Sequence, residues 1–592
     1  MGVAGLWDVL RPAGKVRSLT HLAVTEGFEL NPDGKRGFRI GIDASIWFFH
    51  AAYGKEGENP ELRTLFFRCC RLMTTPFLPL FVFDGPKRPS VKRGKRVSGN
   101  SHWLTTGMKN IIEAFGFEWR TAPGEAEAEL AYLNRIGVID AVLSDDVDNF
   151  LFGAMMVIRN PSNTLSGNRA NPVKNSDGRD DGNHVVVYKA ADLTSHPDIE
   201  LTRGGVILIG LLSGGDYHQA GVTGCGRLIA AGLARCGFGD TLLKASQELS
   251  RDELPGFLST WRDDIRQELR TNSKGLIGSK KPALAKKLPE DFPDIDILLS
   301  YTNPITSETE GKPGRNQNMV DWDREPDLGK VAGLCELYFE WGVKDIIIKR
   351  FRTVLWPSVV LRILRRAAID LDKKKQKSVT VPTTPEMKKK NGIQRVTTVG
   401  TPSKMITKYF ASLKLDTPKS VDASDSDDDD EDENPLIVKI HSSRAHASTD
   451  GILEYRLEVA PAQLVRLSEA GVKGIRPPIE ADDVYEDSES DGDEDDDDDD
   501  SSKRKAKTKK PPPFPDSHIR IWMPACMVRM VEPHLTKAFD EIQERKLAKK
   551  LGKSSAAPRK KAGGKKKNDA PVLEESESSS SKAPPKVKKV TK

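Results

Sequence analysis

The chain lacks the marks of a secreted, membrane-spanning or zinc-built protein. Its six cysteines form no CxxC pair and no zinc spacing. That excludes a disulfide framework and a zinc ribbon, and predicts reduced, buried thiols. No apolar run is long enough to span a bilayer. The start, MGVAGLWDVL, has neither a basic n-region nor an apolar h-region, so no signal peptide is expected. Leu6 stands where a myristoylation motif calls for Ser or Thr. A local absence is more informative: no acid lies between Asp84 and Glu113. That stretch instead holds Lys87, Arg88, Lys92, Arg93, Lys95, Arg96 and Lys109.

The formal net charge of +5 hides strong segregation. Residues 424–433 and 486–500 are largely acidic, whereas 503–510 and 557–592 are rich in lysine. Blocks of this kind predict solvated, disordered segments, and the basic clusters around Arg559-Lys560-Lys561 and Lys565-Lys566-Lys567 fit a nuclear address. A length of 592 residues suggests two to four domains.

The first part reads as alternating strands and helices. Strands are expected at 38–43, 80–84, 117–120, 139–144, 154–159 and 184–188. Helices are expected at 44–53, 62–74, 103–115 and 124–136. This spacing predicts an α/β fold with a mostly parallel central sheet flanked by helices. The polar insert 160–183 is expected to be a mobile loop. In such sheets ligands sit beyond the carboxyl ends of the strands, and Asp43, Asp84, Asp146 and Asp148 all fall there. A helix cap or turn acid would explain any one of them, but the recurrence at four equivalent places favours a site for hard cations. Asp146 and Asp148, two apart, would face the same way in extended chain. Glu125, Glu127 and Glu129 open the next helix, where acids favour the positive end of the dipole. Helical spacing alone pairs Glu125 with Glu129, although the irregular start after Pro123-Gly124 leaves Glu127 possible.

Beside these acids, the basic stretch from Lys87 to Arg96 reads as a phosphate grip rather than a solvated loop. A helix over 201–213 leads to Asp216 and the turn Gly221-Val222-Thr223-Gly224-Cys225-Gly226-Arg227. That turn would present backbone N–H groups and a helix N-terminus to a phosphate. Lys280, Lys281, Lys286 and Lys287 add a basic edge. Residues 330–372 read as helical, packed across the core with the basic side, Arg362, Arg365 and Arg366, in water.

The segments MGVAGLW, GIDAS, FVFDG, PGEAEAE, SDDVDNFLFG, LLSGGDY and GVTGCG, in this order, resemble the XPG/flap-endonuclease superfamily of structure-specific nucleases. The resemblance covers roughly residues 1–375. It implies a PIN-like 5′-nuclease fold with a helix-two-turn-helix from about 216. It also implies metal ligands Asp43, Asp84, Glu125, Glu127, Asp146, Asp148 and Asp216, holding two Mg²⁺ ions for which Mn²⁺ can substitute. Lys92 and Arg93 would offset charge on the scissile phosphate. Carbonyls of the glycine turn would hold one K⁺, and Trp47, Phe48 and Phe49 would lie where the family builds a wedge against the branch point. Residues 85–124, between Asp84 and Glu125, are too few for the long arch of the flap-cutting members. That departure resembles the Holliday-junction resolvase (GEN/Yen-type) branch. By that resemblance the chain would cut four-way junctions as a homodimer and 5′ flaps as a monomer. A flap or repair-bubble nuclease, and a non-catalytic chromatin or DNA-binding protein, are the competing readings.

Residues 376–433 read as a linker. Thr401-Pro402-Ser403-Lys404 fits a proline-directed, cyclin-dependent kinase site. Ser403, Ile406, Tyr409 and Phe410 resemble a sliding-clamp box, with an apolar anchor onto the next domain as the alternative. Residues 434–546 resemble a small α+β chromodomain interrupted by an acidic insert, 479–510. With Val459 where an aromatic is usual, this module is expected to grip duplex DNA rather than methyl-lysine. Residues 547–592 read as a disordered basic tail.

Overall fold

The computed structural model describes residues 2–31, 33–55, 57–97, 102–159, 172–310, 320–380, 401, 403–411, 435–477 and 513–554. Residues 160–171 of the polar insert, most of the linker, the acidic insert and the tail beyond 554 lie outside the described residues. Met1–Phe539 is one compact unit and Asp540–Lys592 a second; in the second, residues 540–554 are helical.

The strands, in chain order, are β1 (Lys15–Ser18), β2 (Phe38–Asp43), β3 (Phe77–Phe83), β4 (Val91–Lys92), β5 (Lys95–Arg96), β6 (Glu118–Thr121), β7 (Ala141–Leu143), β8 (Met156–Arg159), β9 (His184–Lys189), β10 (Ile437–Ala445), β11 (Leu453–Val459) and β12 (Ile519–Pro524). Seven of them form one sheet in the order β1-β9-β8-β7-β2-β3-β6. Its β8-β7-β2-β3-β6 part is parallel, and β9 and β1 close one edge antiparallel. β2 and β3 are interior strands, and their apolar runs are covered on both faces, as a parallel sheet requires. Alternation splits them between two apolar clusters. Phe77, Phe81 and Phe83 point to one, and Leu80 and Val82 to the other.

The first cluster does not stop at the nuclease-like part. It runs from Trp356, Val359, Val360 and Leu364 into Ile406, Phe410, Leu464, Leu467, Met527 and Val528. The antiparallel sheet β10-β11-β12 is therefore packed onto the first part as a continuation of its core. Gly471 lies against helix Leu328–Tyr338, where a Cβ would stand 1.8 Å from the Gly329 carbonyl oxygen. Glu336 on that helix accepts the backbone N–H groups of Lys473 and Ile475, each at 2.8 Å.

Three expectations are corrected here. Arg362, Arg365 and Arg366 are not in water: all three are buried on Glu325, at 2.8, 2.8 and 3.2 Å. Further N–H groups of the three donate to the carbonyls of Phe77, Arg324, Lys35, Trp322 and Asp323. A guanidinium carries enough donors to be buried when a carboxylate and carbonyl oxygens receive them, so the positive charges do not identify a wet face. The clamp-like box is a helix, Ser403–Phe410, whose Ile406 and Phe410 are buried in the shared core. Gln463 donates to the Ser403 carbonyl at 2.9 Å and to Thr407 Oγ1 at 3.1 Å. These apolar residues anchor the next domain and are not presented to a clamp. Trp47 and Phe48 are also core residues, 1% and 6% exposed. Trp47 packs on Phe81 and Phe48 stacks on His102, leaving Phe49 and Tyr53 as the exposed aromatics of that segment.

The β10–β11 turn is bolted to the β1–β9 edge. Asp450 accepts from the Ser18 backbone N–H at 2.7 Å and meets His184 Nε2 at 2.9 Å, and Ser18 Oγ donates to the Ser448 carbonyl. Asp181 holds His184 Nδ1 at 3.1 Å, and Arg71 braces the neighbouring Gly182 and Asn183. Burial opposes charge on His184, but its hydrogen bonds to Asp181 and Asp450 outweigh this and raise its pKa. A raised histidine pKa stabilises below the unfolded value of about 6.5 and loses that contribution as pH climbs through the folded value. Asp450→Ala is therefore expected to speed amide exchange in β1, β9 and the 446–451 turn at pH 6, and to change it less at pH 9. Equal protection in mutant and wild type at pH 6 would contradict the link.

Candidate metal and phosphate site

The carboxyl ends of β7, β2 and β3 lie side by side, which brings together acids far apart in sequence. Asp43 ends β2 and Asp84 follows β3. Glu125 is the extended residue before helix Ala126–Arg135, and Glu127 lies in its first turn. Asp148 opens a short helix after β7, and Asp216 follows helix Arg203–Ser213. Asp43, Glu125, Glu127, Asp146, Asp148 and Asp216 are each buried, and Asp84 is half-buried.

Local bonds aim them. Asp43 caps its own helix by accepting the Ser45 N–H at 2.7 Å, so cap and site acid are one residue. Asp84 accepts from Ser45 Oγ at 2.8 Å and from the Ala126 N–H at 2.9 Å. Asp148 accepts the Val3 N–H at 3.1 Å, and its own N–H donates to Asp146 at 3.1 Å. The common facing of Asp146 and Asp148 thus arises from a turn into a helix, not from extended chain. Gly2, at φ 77°, lies against both, and a Cβ there would stand 2.2 Å from Asp148 Oδ1. Gly2, Val3, Ser45 and Tyr217 are site residues that pattern reading alone did not single out.

The ambiguity among the glutamates is resolved by geometry. Glu125 precedes the helix, so the four-residue helical rule does not apply to it. Glu129 is fully buried elsewhere, accepting from Ser307 N at 2.9 Å and Ser307 Oγ at 2.6 Å, with Arg120 at 3.5 Å. Glu129→Ala would leave these donors unsatisfied and is expected to cost about 1–3 kcal/mol of stability by chemical denaturation. An unchanged midpoint would contradict this structural role.

The basic stretch is neither arch nor loose loop. β4 and β5 form a hairpin whose two-residue turn, Arg93-Gly94, has positive φ at both positions (54° and 68°), the geometry that matches strand twist. Its tip enters the acidic cluster. Lys92 Nζ lies 2.8 Å from Glu125, 3.2 Å from Glu127 and 3.4 Å from Asp216. Arg93 grips Asp216 with Nε at 2.7 Å and Nη2 at 2.9 Å, and its backbone N–H donates to the Asp216 carbonyl at 2.8 Å. Lys95 and Arg96 point outward to solvent, while Lys87 pairs with Glu310.

Electrostatics set the chemistry. Burial and the neighbouring Asp84 raise Asp43 to about 7. Burial and the other acids push Glu127 and Asp148 well above the carboxylate range and raise Asp146. Burial works against charge on Lys92, but Glu127, Glu125 and Asp216 more than compensate and hold it as an ammonium. Such a cluster ionises fully only beside further positive charge. Among the described residues no three acidic, His or Cys side chains close to the spacing of a metal-ligand set. Lys92 lies among Glu125, Glu127 and Asp216. The donor set is nonetheless all carboxylate, the chemistry that fits Mg²⁺ or Mn²⁺.

Beside this cluster, Thr223, Gly224, Gly226 and Arg227 of the glycine turn are exposed before helix Arg227–Arg235, and Gly221 and Gly224 have positive φ. Arg227 is shared with Asp8 at 3.2 Å. Leu284 lies 3.9 Å from the Cβ position of Gly224, which brings the exposed Lys280, Lys286 and Lys287 beside the turn. The six cysteines are free thiols, all but the half-buried Cys526 fully buried, and no described helix is long and apolar enough to cross a membrane.

Three family models match: the XPG N-terminal domain over residues 1–100, the XPG I-region over 116–216, and the Holliday junction resolvase Gen1 C-terminal domain over 436–542. The chain is 30% identical over 274 residues to Flap endonuclease GEN homolog 1 of Mus musculus, covering 43% of this chain and 27% of that protein. It is 30% identical over 245 residues to Flap endonuclease 1 of Sulfolobus acidocaldarius, covering 33% of this chain and 67% of that protein. Against the GEN relatives the chain spans from 26% to 48% of their length. A solved structure of the Holliday junction-resolving enzyme GEN1 in complex with product DNA and Mg²⁺ matches with a TM-score of 0.59 and 26% identity, over 92% of this chain and 100% of that one. The chain belongs to the XPG/flap-endonuclease superfamily.

Proposed function

We propose that the chain is a Mg²⁺-dependent, structure-specific DNA endonuclease. It cuts four-way junctions and 5′ flaps by phosphodiester hydrolysis, leaving 5′-phosphate and 3′-hydroxyl ends, in recombination and repair. The observation that carries this reading is seven carboxylates gathered around the carboxyl ends of β7, β2 and β3, with Lys92 and Arg93 against four of them, Glu125, Glu127, Asp146 and Asp216. Asp43, Asp84, Glu125, Glu127, Asp146, Asp148 and Asp216 would hold two Mg²⁺ ions, which supply a hydroxide at neutral pH and stabilise the leaving 3′ oxygen. Lys92 and Arg93 donate to the non-bridging oxygens of the scissile phosphate, where charge builds. The hairpin is short and its flanks carry the outward Lys95 and Arg96. That leaves room for a duplex arm beside the acids, in keeping with a junction substrate.

The exposed turn 221–227 acts as a helix-two-turn-helix, gripping the uncut duplex with Lys280, Lys286 and Lys287 and holding one K⁺ on its carbonyls. The 435–539 module is a chromodomain-type fold that extends the DNA grip. Its Tyr455 is buried, with Arg529 donating to its hydroxyl at 3.0 Å, so that ring is not offered to a methylated lysine. Two copies act on a four-way junction and one on a flap. Thr401, before Pro402, is a cyclin-dependent kinase target, and the protein works in the nucleus.

Labelled four-way junction, 5′ flap and bubble DNA, incubated with the protein in Mg²⁺, test the reading. Paired symmetric nicks across the junction and a single nick at the flap are expected. A junction left uncut at every protein concentration would overturn the resolvase reading, and a bubble cut in preference to both would favour a repair-bubble nuclease.

A further inference from the structure

Glu125 is set apart from the other acids by how it is held. It is the extended residue before helix Ala126–Arg135, at φ −81° and ψ 141°, and its side chain makes no helix-capping bond. Backbone N–H groups orient Asp43, Asp84, Asp146 and Asp148. Glu125 instead takes the hydroxyl of Tyr217 on Oε2, while Oε1 faces Lys92 Nζ at 2.8 Å. The Tyr217 ring is fixed from behind by Tyr301 of helix Ile295–Thr302, with centroids 4.7 Å apart and planes at 54°. The buried Tyr301 hydroxyl faces the Tyr217 backbone and not the Glu125 carboxylate, so that side chain holds the Tyr217 segment in place.

We propose that Tyr217 is a positioning residue for the metal-facing carboxylate of Glu125. The proposal rests on the metal-dependent reading above. One O–H donated to Oε2 fixes the carboxylate plane and leaves Oε1 directed into the cluster, where Lys92 marks the place of positive charge. Tyr217 also directly follows Asp216 in the chain. The same segment therefore supplies one acid through its backbone position and orients a second, from a different element, through a side-chain hydroxyl. Because residues 218–227 continue from it into the exposed glycine turn, duplex held on that turn and the orientation of Glu125 are joined by a few residues of chain.

The test is Mn²⁺ binding to the full-length protein without DNA, followed by the Mn²⁺ paramagnetic resonance signal, for wild type, Tyr217→Phe and Tyr301→Phe. Partners that orient a ligand carboxylate are worth about 10- to 100-fold in metal affinity, and Tyr217→Phe is expected to lose that much. Affinity for junction DNA in chelator should stay at the wild-type value, since the ring remains packed. Tyr301→Phe removes a hydroxyl from the same ring pair, but one that does not reach Glu125, and should bind Mn²⁺ as wild type does. The Mn²⁺ concentration giving half-maximal cleavage should rise in Tyr217→Phe by the same factor as its dissociation constant. Wild-type Mn²⁺ affinity in Tyr217→Phe would overturn the proposal and leave the metal site standing. Failure of the wild type to bind Mn²⁺ would overturn the metal reading and the proposal together.

Discussion

Asp43→Asn is expected to slow junction and flap cleavage in Mg²⁺ by about 10²- to 10³-fold, the scale on which one preorganised charge or donor counts in such a site. The substitution is nearly isosteric, and asparagine caps helices as well as aspartate does, so the bond from the Ser45 N–H survives. What is lost is one negative charge among buried acids. Stability should move the other way. Burial and Asp84 raise the Asp43 pKa to about 7. A carboxyl raised in the folded state opposes folding as pH climbs from its unfolded value, about 3.9, through the folded one. In chelator at pH 7.5 the asparagine variant should therefore melt above wild type, and the difference should shrink as pH falls toward 4. Cleavage within threefold of wild type would show that Asp43 is not a ligand. A lower melting temperature in chelator would show that the cluster is not held under mutual repulsion.

Glu325→Ala carries the largest expected cost in stability. Its carboxylate is shared by Arg362, Arg365 and Arg366, all of them buried. Burial already lowers the Arg365 pKa to about 9 even with Glu325 present. Removing the anion strands three cations in a place water does not reach, and breaking a buried pair in this way costs about 3–5 kcal/mol. The damage should extend to the site. Arg362 also holds the Phe77 carbonyl at the start of β3, and Asp84 follows the other end of that strand. A sharp fall in melting midpoint, with cleavage lost above it, is the expected outcome. A midpoint within two degrees of wild type would show that the arginines are satisfied by carbonyls alone.

Spacing reports which residues share an element, but not what packs against that element. The arginines of helix Trp356–Thr380 looked wet because charge usually is, and only the fold places Glu325 and five carbonyl groups beneath them. Glu125 and Glu129 were paired by helical spacing because the helix start was not visible. One residue of displacement makes Glu125 extended and frees Glu127 to enter the cluster, while Ser307, distant in sequence, claims Glu129. Resemblance puts Trp47 and Phe48 at a wedge, whereas burial against Phe81 and His102 puts both in the core. Ile406 and Phe410 looked like a docking box because an apolar anchor has the same spacing wherever its partner lies.

Other parts were legible because they depend on local chemistry. The apolar runs of β2, β3 and β7 marked buried parallel strands, and topology requires that the carboxyl ends of adjacent parallel strands meet. Asp43, Asp84, Asp146 and Asp148 could therefore be grouped before any coordinates, and the motif order added Asp216. The absence of acids between Asp84 and Glu113 marked a basic segment, and the fold sets its Lys92 and Arg93 against the acids. Sequence by itself thus determined the α/β class, the acidic site and its basic neighbour, since strand patterning and charge are written residue by residue. Tertiary structure alone decided that the basic stretch is a hairpin with Lys92 and Arg93 at the acids, that Tyr217 holds Glu125, and that the last module shares the core of the first. Those contacts join residues tens to hundreds of positions apart, and their energies depend on distances of a few ångströms that no local pattern encodes.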